Sequence, residues 1–201
     1  MVLALALIAL LDLPPQAVHL DCRNPGGPTE TSRIVSADGT AVALSVSSSD
    51  DHSKNLHGCM ATYELVITAP GGQSHSEVLA RSDDDEWGRD LSIWISGFSH
   101  NGDHVFGGLA ERGQHPMTWL LDYDLTRRIA QLPDLEQQFK TAAVARCGAK
   151  FVVIGTTDTG GVVLELQPSA TCPTASRWVV NPSNATALPL ARGASFSTLH
   201  R

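Results

Sequence analysis

The feature that most constrains this chain is alternation with a period of two, broken at short intervals by turn dipeptides. Stretches such as Ala41–Ser47, Met60–Ala69 and Leu91–Phe98 alternate apolar and polar residues or run through β-branched ones. A strand points successive side chains to opposite faces, so this pattern suits ribbons buried on at least one side. Long 3.6-residue periodicity is absent. Asp38-Gly39 and Asn101-Gly102 separate such stretches, and both dipeptides favour tight hairpins because both central residues accept positive φ. Gly71-Gly72 and Thr159-Gly160-Gly161 supply further turns.

The pattern predicts an all-β chain of three four-stranded groups. The first holds Arg33–Ala37, Ala41–Ser47, Met60–Ala69 and Ser74–Arg81. The second holds Leu91–Phe98, His104–Ala110, Thr118–Asp124 and Arg127–Leu132. The third holds Thr141–Arg146, Lys150–Thr156, Gly161–Gln167 and Arg177–Val180. Pro133–Phe139 is the one expected helical turn. The units 33–81, 91–132 and 141–180 thus form a β domain over 33–181, flanked by an N-terminal segment, 18–32, and a tail, 182–201. Ser47–Gly58 and Ser82–Asp90 read as polar loops, the second carrying Asp83-Asp84-Asp85-Glu86.

The hairpins also repeat. Ser36-Ala37-Asp38-Gly39-Thr40-Ala41-Val42 aligns with Ser99-His100-Asn101-Gly102-Asp103-His104-Val105. Ala145-Arg146-Cys147-Gly148-Ala149-Lys150-Phe151 is a weaker third copy. On this alignment Gly39, Gly102 and Gly148 mark equivalent bends.

Phe98-Ser99-His100-Asn101-Gly102-Asp103-His104-Val105-Phe106-Gly107 resembles the Phe-Ser-Pro-Asp-Gly hairpin of TolB-like and WD40-like β-propellers. Trp119-Leu120-Leu121-Asp122-Tyr123-Asp124-Leu125-Thr126 resembles the strand and turn that follow it in such blades. The likeness is specific over 98–126 and extends as a coarse pattern over 30–181. His100 stands where the family has proline, and Arg127-Arg128 where it has glycine. The resemblance implies three antiparallel blade-like sheets, a partial β-propeller, and carries no catalytic residue, because blades host unrelated functions. Propellers close with about 4–8 blades, so three leave open faces. The chain is then part of a longer propeller, pairs with a second copy, or repacks its strands as a β-sandwich, the alternative fold. The tail, ending in Gly193-Ala194-Ser195-Phe196-Ser197-Thr198-Leu199-His200-Arg201, also suits a fragment of a following blade.

Composition bounds the partners. The chain has 201 residues, 17% of them charged, and a formal net charge of −7. Without a basic stripe, such a surface is a poor match for a phosphate backbone, which excludes nucleic acid. Val2–Leu13 is apolar except for Asp12 and is stopped by Pro14-Pro15. It is too short to cross the ~30 Å core of a bilayer, so no transmembrane span is expected. Residues 1–17 instead suit a signal peptide or its remnant, implying a secreted or periplasmic protein, with a hydrophobic first strand as the alternative. Cys22, Cys59, Cys147 and Cys172 fit export as disulfide formers. Cys147 and Cys172 flank one hairpin, which favours their pairing and leaves Cys22 with Cys59; free buried thiols are the alternative.

The sequence holds no G-x-S-x-G nucleophile elbow and no phosphate-cradling glycine loop. Two constellations remain. The carboxylates of Asp83, Asp84 and Asp85, and of Asp50 and Asp51 beside His52 and His57 in the other loop, offer oxygen ligands for Ca²⁺, and Trp87 offers a stacking face for a sugar or peptide. His100, His104 and His115 surround the second hairpin and suit a transition metal. Solvated surface residues are the plainer account of both, and no cofactor is required. The expected function is a binding or interaction module for a protein, a carbohydrate or a second copy of itself. The alternative is a secreted hydrolase or metal-dependent enzyme using the acidic loops and histidines.

Overall fold

A computed structural model describes residues 28–51, 58–84, 90–112, 117–132, 135, 151–166, 168, 176–183 and 186–200. Within them the chain is all-β, and its strands form three antiparallel sheets, none closed into a barrel.

The first sheet runs in sequence order through β1 (Thr29–Val35), β2 (Ala41–Asp51), β3 (Gly58–Thr68) and β4 (Ser74–Asp84). The second runs likewise through β5 (Asp90–Phe98), β6 (His104–Arg112), β7 (Met117–Asp124) and β8 (Ile129–Gln131). Short turns between antiparallel neighbours dictate this simple meander.

The expected polar loops are shorter than the sequence suggested. Pairing of β3 with both neighbours continues through Ser49↔Met60, Asp50↔Cys59 and Asp51↔Gly58 on one side and Cys59↔Asp84 on the other. A ladder needs only backbone donors and acceptors, so a serine- and aspartate-rich run extends it as readily as an apolar one.

Among the described residues the third sheet has five strands, in the order β12–β11–β10–β9–β13. β9 (Phe151–Thr156), β10 (Val162–Leu166) and β11 (Ser176–Asn181) fall where expected. The tail supplies the other two: β12 (Thr186–Pro189) at one edge and β13 (Ser197–Thr198) beside β9. The tail therefore supplies two of the five strands that the third sheet has among the described residues. The expected strand Thr141–Arg146, Gly148, and Pro133–Phe139 apart from Leu135 lie outside the described residues, as do residues 1–27.

The middle sheet is buried on both faces. Val105, Leu109, Leu121 and Tyr123 pack against Val42, Leu44, Leu65 and Ile67 of the first sheet. Phe106, Leu120 and Trp94 pack against Phe151, Val153, Leu164 and Val180 of the third, with Leu135 among them. A β-bulge between Ile95 and Gly97 turns Phe98 to the first-sheet side, although Trp94, an even number of residues earlier, faces the third. Each fully buried leucine or phenylalanine here contributes roughly 1.5–3 kcal/mol relative to exposure.

Gly39 and Gly102 occupy matching turns, with φ of 88° and 77°. In each, the glycine N–H donates to the carbonyl three residues back, Ser36 or Ser99. Asp38 and Asn101 keep negative φ, so each hairpin is a type I turn followed by a left-handed glycine, not the doubly left-handed turn expected from the dipeptide. At the β7–β8 turn the left-handed position is filled by Arg128, φ 59°. This is where the propeller pattern has glycine, and a non-glycine residue there costs about 1–2 kcal/mol.

Candidate functional site

The turn end of the second sheet gathers the most chemistry among the described residues. Ser99 Oγ donates to Asp103 Oδ1 at 3.0 Å and accepts from the His104 N–H at 2.9 Å. Asn101 Nδ2 donates to the other carboxylate oxygen of Asp103 at 2.6 Å. Three side-chain hydrogen bonds thus tie the turn together. The adjoining β7–β8 turn is fastened to it by the Leu125 N–H on the Asp103 carbonyl, 2.9 Å.

Where the turn enters β6, His104 Nδ1 lies 2.7 Å from Asp122 Oδ1. Asp122 is only 9% exposed. Burial pushes its carboxyl above the ordinary value of 3.8, and the hydrogen bond from His104 opposes that shift. The imidazole also stacks on the Phe106 ring, centroids 5.8 Å apart and planes 8° from parallel. Neighbouring Asp124 is shifted the other way. The Arg127 N–H donates to its Oδ1 at 2.8 Å and the Thr126 N–H at 2.9 Å, which holds its carboxyl below 3.8.

A second histidine pair lies beside the first. The C-terminal segment crosses from β13 to the second sheet, where His200 and Phe98 exchange backbone hydrogen bonds of 2.8 and 3.1 Å. Glycines make room for it. A Cβ on Gly97 would sit 2.7 Å from the His200 carbonyl oxygen, and one on Gly155 would sit 2.3 Å from that of Ser197. The docked segment brings His200 Nε2 to 3.1 Å from His100 Nδ1, with both side chains exposed.

The expected histidine cluster is therefore divided. His104 is engaged by Asp122 and His100 by His200, while His115 lies outside the described residues. No three histidine, cysteine, aspartate or glutamate residues are gathered as a metal site among the described residues. Of the acidic candidates, Asp83 and Asp84 belong to β4 rather than to a loop. Asp50 and Asp84 are the register partners of Cys59 on its two sides, so β3 brings both acidic stretches to one end of the first sheet. Asp85, Trp87, His52 and His57 lie outside the described residues. So do Cys22, Cys147 and Cys172, and with them both expected disulfides. No helix among the described residues is long and apolar enough to cross a membrane.

Asp122 and His200 were not singled out from sequence. The repeat carried a signal for the first: aligned on their turns, His104 and Asp122 stand where the first unit has Ala41 and Val66. Comparison with protein-family models, with curated proteins and with solved structures found no match to this chain.

Proposed function

We propose that this chain is an exported, β-propeller-like binding module whose partner is a protein or a carbohydrate. The observation that carries the reading is the turn end of the second sheet. There Ser99, Asn101, Asp103 and His104 are fixed by their own hydrogen bonds over a core buried on both sides. Rigid polar groups on a packed scaffold bind without an ordering cost, which is how loops on β frameworks usually serve recognition. The apolar run Val2–Leu13 supports export, to the outside of the cell or the periplasm.

The test is an array of oligosaccharides and peptides probed with the purified chain, repeated with Asn101→Ala and Asp103→Ala. A hit weakened by both variants, with melting temperatures that show them folded, supports the reading. No hit, or binding indifferent to both, removes it.

A further inference from the structure

We infer that His100 and His200 form a two-imidazole site for a divalent transition cation, one that pins the C-terminal segment to the second sheet. The inference is independent of the partner proposed above. It rests on three observations.

The first is the nitrogen separation. His100 Nδ1 and His200 Nε2 are 3.1 Å apart. Two imidazoles bound to one cation at about 2.0–2.1 Å place their nitrogens about 2.9 Å apart at a right angle and about 3.3–3.4 Å apart at the tetrahedral angle. The observed value lies between these limits, so a cation enters with little movement of either ring. The second is that the two residues are held independently of each other's side chains. His100 sits in the turn closed by the Gly102 N–H on the Ser99 carbonyl, and His200 is fixed by its paired backbone bonds to Phe98. The third is that the tail passes where Gly97 and Gly155 leave space for its backbone.

Without a cation, one ring donates N–H to the other's lone pair, a bond that requires one particular tautomer. With a cation, both facing nitrogens offer lone pairs. The donating ring moves its proton to its other nitrogen through solvent. Imidazole suits Zn²⁺, Cu²⁺ and Ni²⁺, and water completes the coordination. His104 is excluded as a third ligand through Nδ1, which Asp122 engages. Binding that bridges tail and turn also stabilises the folded chain, because the unfolded chain does not hold the two rings together.

The test uses Zn²⁺ alone with the full chain near neutral pH, read by thermal melting and by imidazole NMR. The expected result is a melting-temperature rise that His75→Ala keeps and that His100→Ala and His200→Ala each lose. In the wild type, the His100 and His200 ring signals move together and saturate at one equivalent. A rise that survives in either variant overturns the site, as does a titration that moves other histidine signals or none. If a variant does not fold, the wild-type NMR titration decides alone.

Discussion

The first and second sheets start from the same hairpin and use it differently. In the first, Ser36 Oγ donates to Asp38 and to the Thr40 carbonyl, and the Asp38 carboxylate accepts the Thr40 N–H at 2.9 Å. Every one of these bonds stays within the turn. In the second, the turn reaches outward, to Asp122 through His104 and to the tail through His100. Ala41 and Val66 occupy the register that His104 and Asp122 occupy in the second sheet, so an apolar pair in one copy is a polar pair in the other. The backbone motif sets the bend; the residues at two strand positions decide whether it stays a scaffold or becomes a connection.

The largest expected effect tests the burial half of this contrast. Leu120→Ala, in the doubly covered second sheet, should cost about 2–5 kcal/mol in urea unfolding through lost packing and a residual cavity. Val66→Ala, on the face of the first sheet that points away from the second, should cost less than about 1 kcal/mol. Equal costs would mean that the first sheet is as fully covered as the second.

Next comes the polar pair. His104→Ala leaves a buried carboxylate without its donor and should cost about 1–3 kcal/mol. The double variant His104→Ala/Asp122→Val transplants the apolar pair of the first sheet. It should be more stable than His104→Ala alone, because removing both partners leaves no buried charge to solvate. A double variant less stable than the single would show that the second sheet depends on the carboxylate itself.

The difference between the sheets was partly legible in the sequence. Apolar and β-branched runs over Ala41–Ser47 and Leu91–Phe98, set off by the turn dipeptides Asp38-Gly39 and Asn101-Gly102, placed the strands. Strand ends were less legible: Ser47–Asp51 extends β2 through backbone pairing, which carries no side-chain signature. The part the tail plays in the third sheet was not legible. β13 has two residues, and both its pairing with Thr156 and Gly155 and the bridge of His200 to Phe98 beyond it join positions remote in the chain. Gly97 and Gly155 mark the path of the tail, but a glycine within a strand has many causes. The histidines were visible individually; which of them meet depended on that tail and on the register of β6 against β7.

The smallest effect separates the two hairpins by acid. Hydrogen bonds from Ser36 and Thr40 hold the Asp38 carboxyl below 3.8. A lowered folded value means that the stabilisation is present above 3.8 and is lost as pH falls through the folded value. Asp124 behaves alike, through the backbone N–H groups of Arg127 and Thr126. Asp122 has the opposite sign. Burial raises its folded value, so its contribution is full below 3.8 and is lost as pH rises through the raised value. Asp38→Asn should therefore flatten the fall in stability between neutral pH and pH near 3. Asp122→Asn should steepen it, because the variant no longer gains from protonating a buried carboxyl. Stability measured by urea unfolding at a series of pH values reads both slopes. Slopes that change in the same direction would mean that the two hairpins hold their carboxylates in the same way, and the contrast between a self-contained turn and a connecting one would fail.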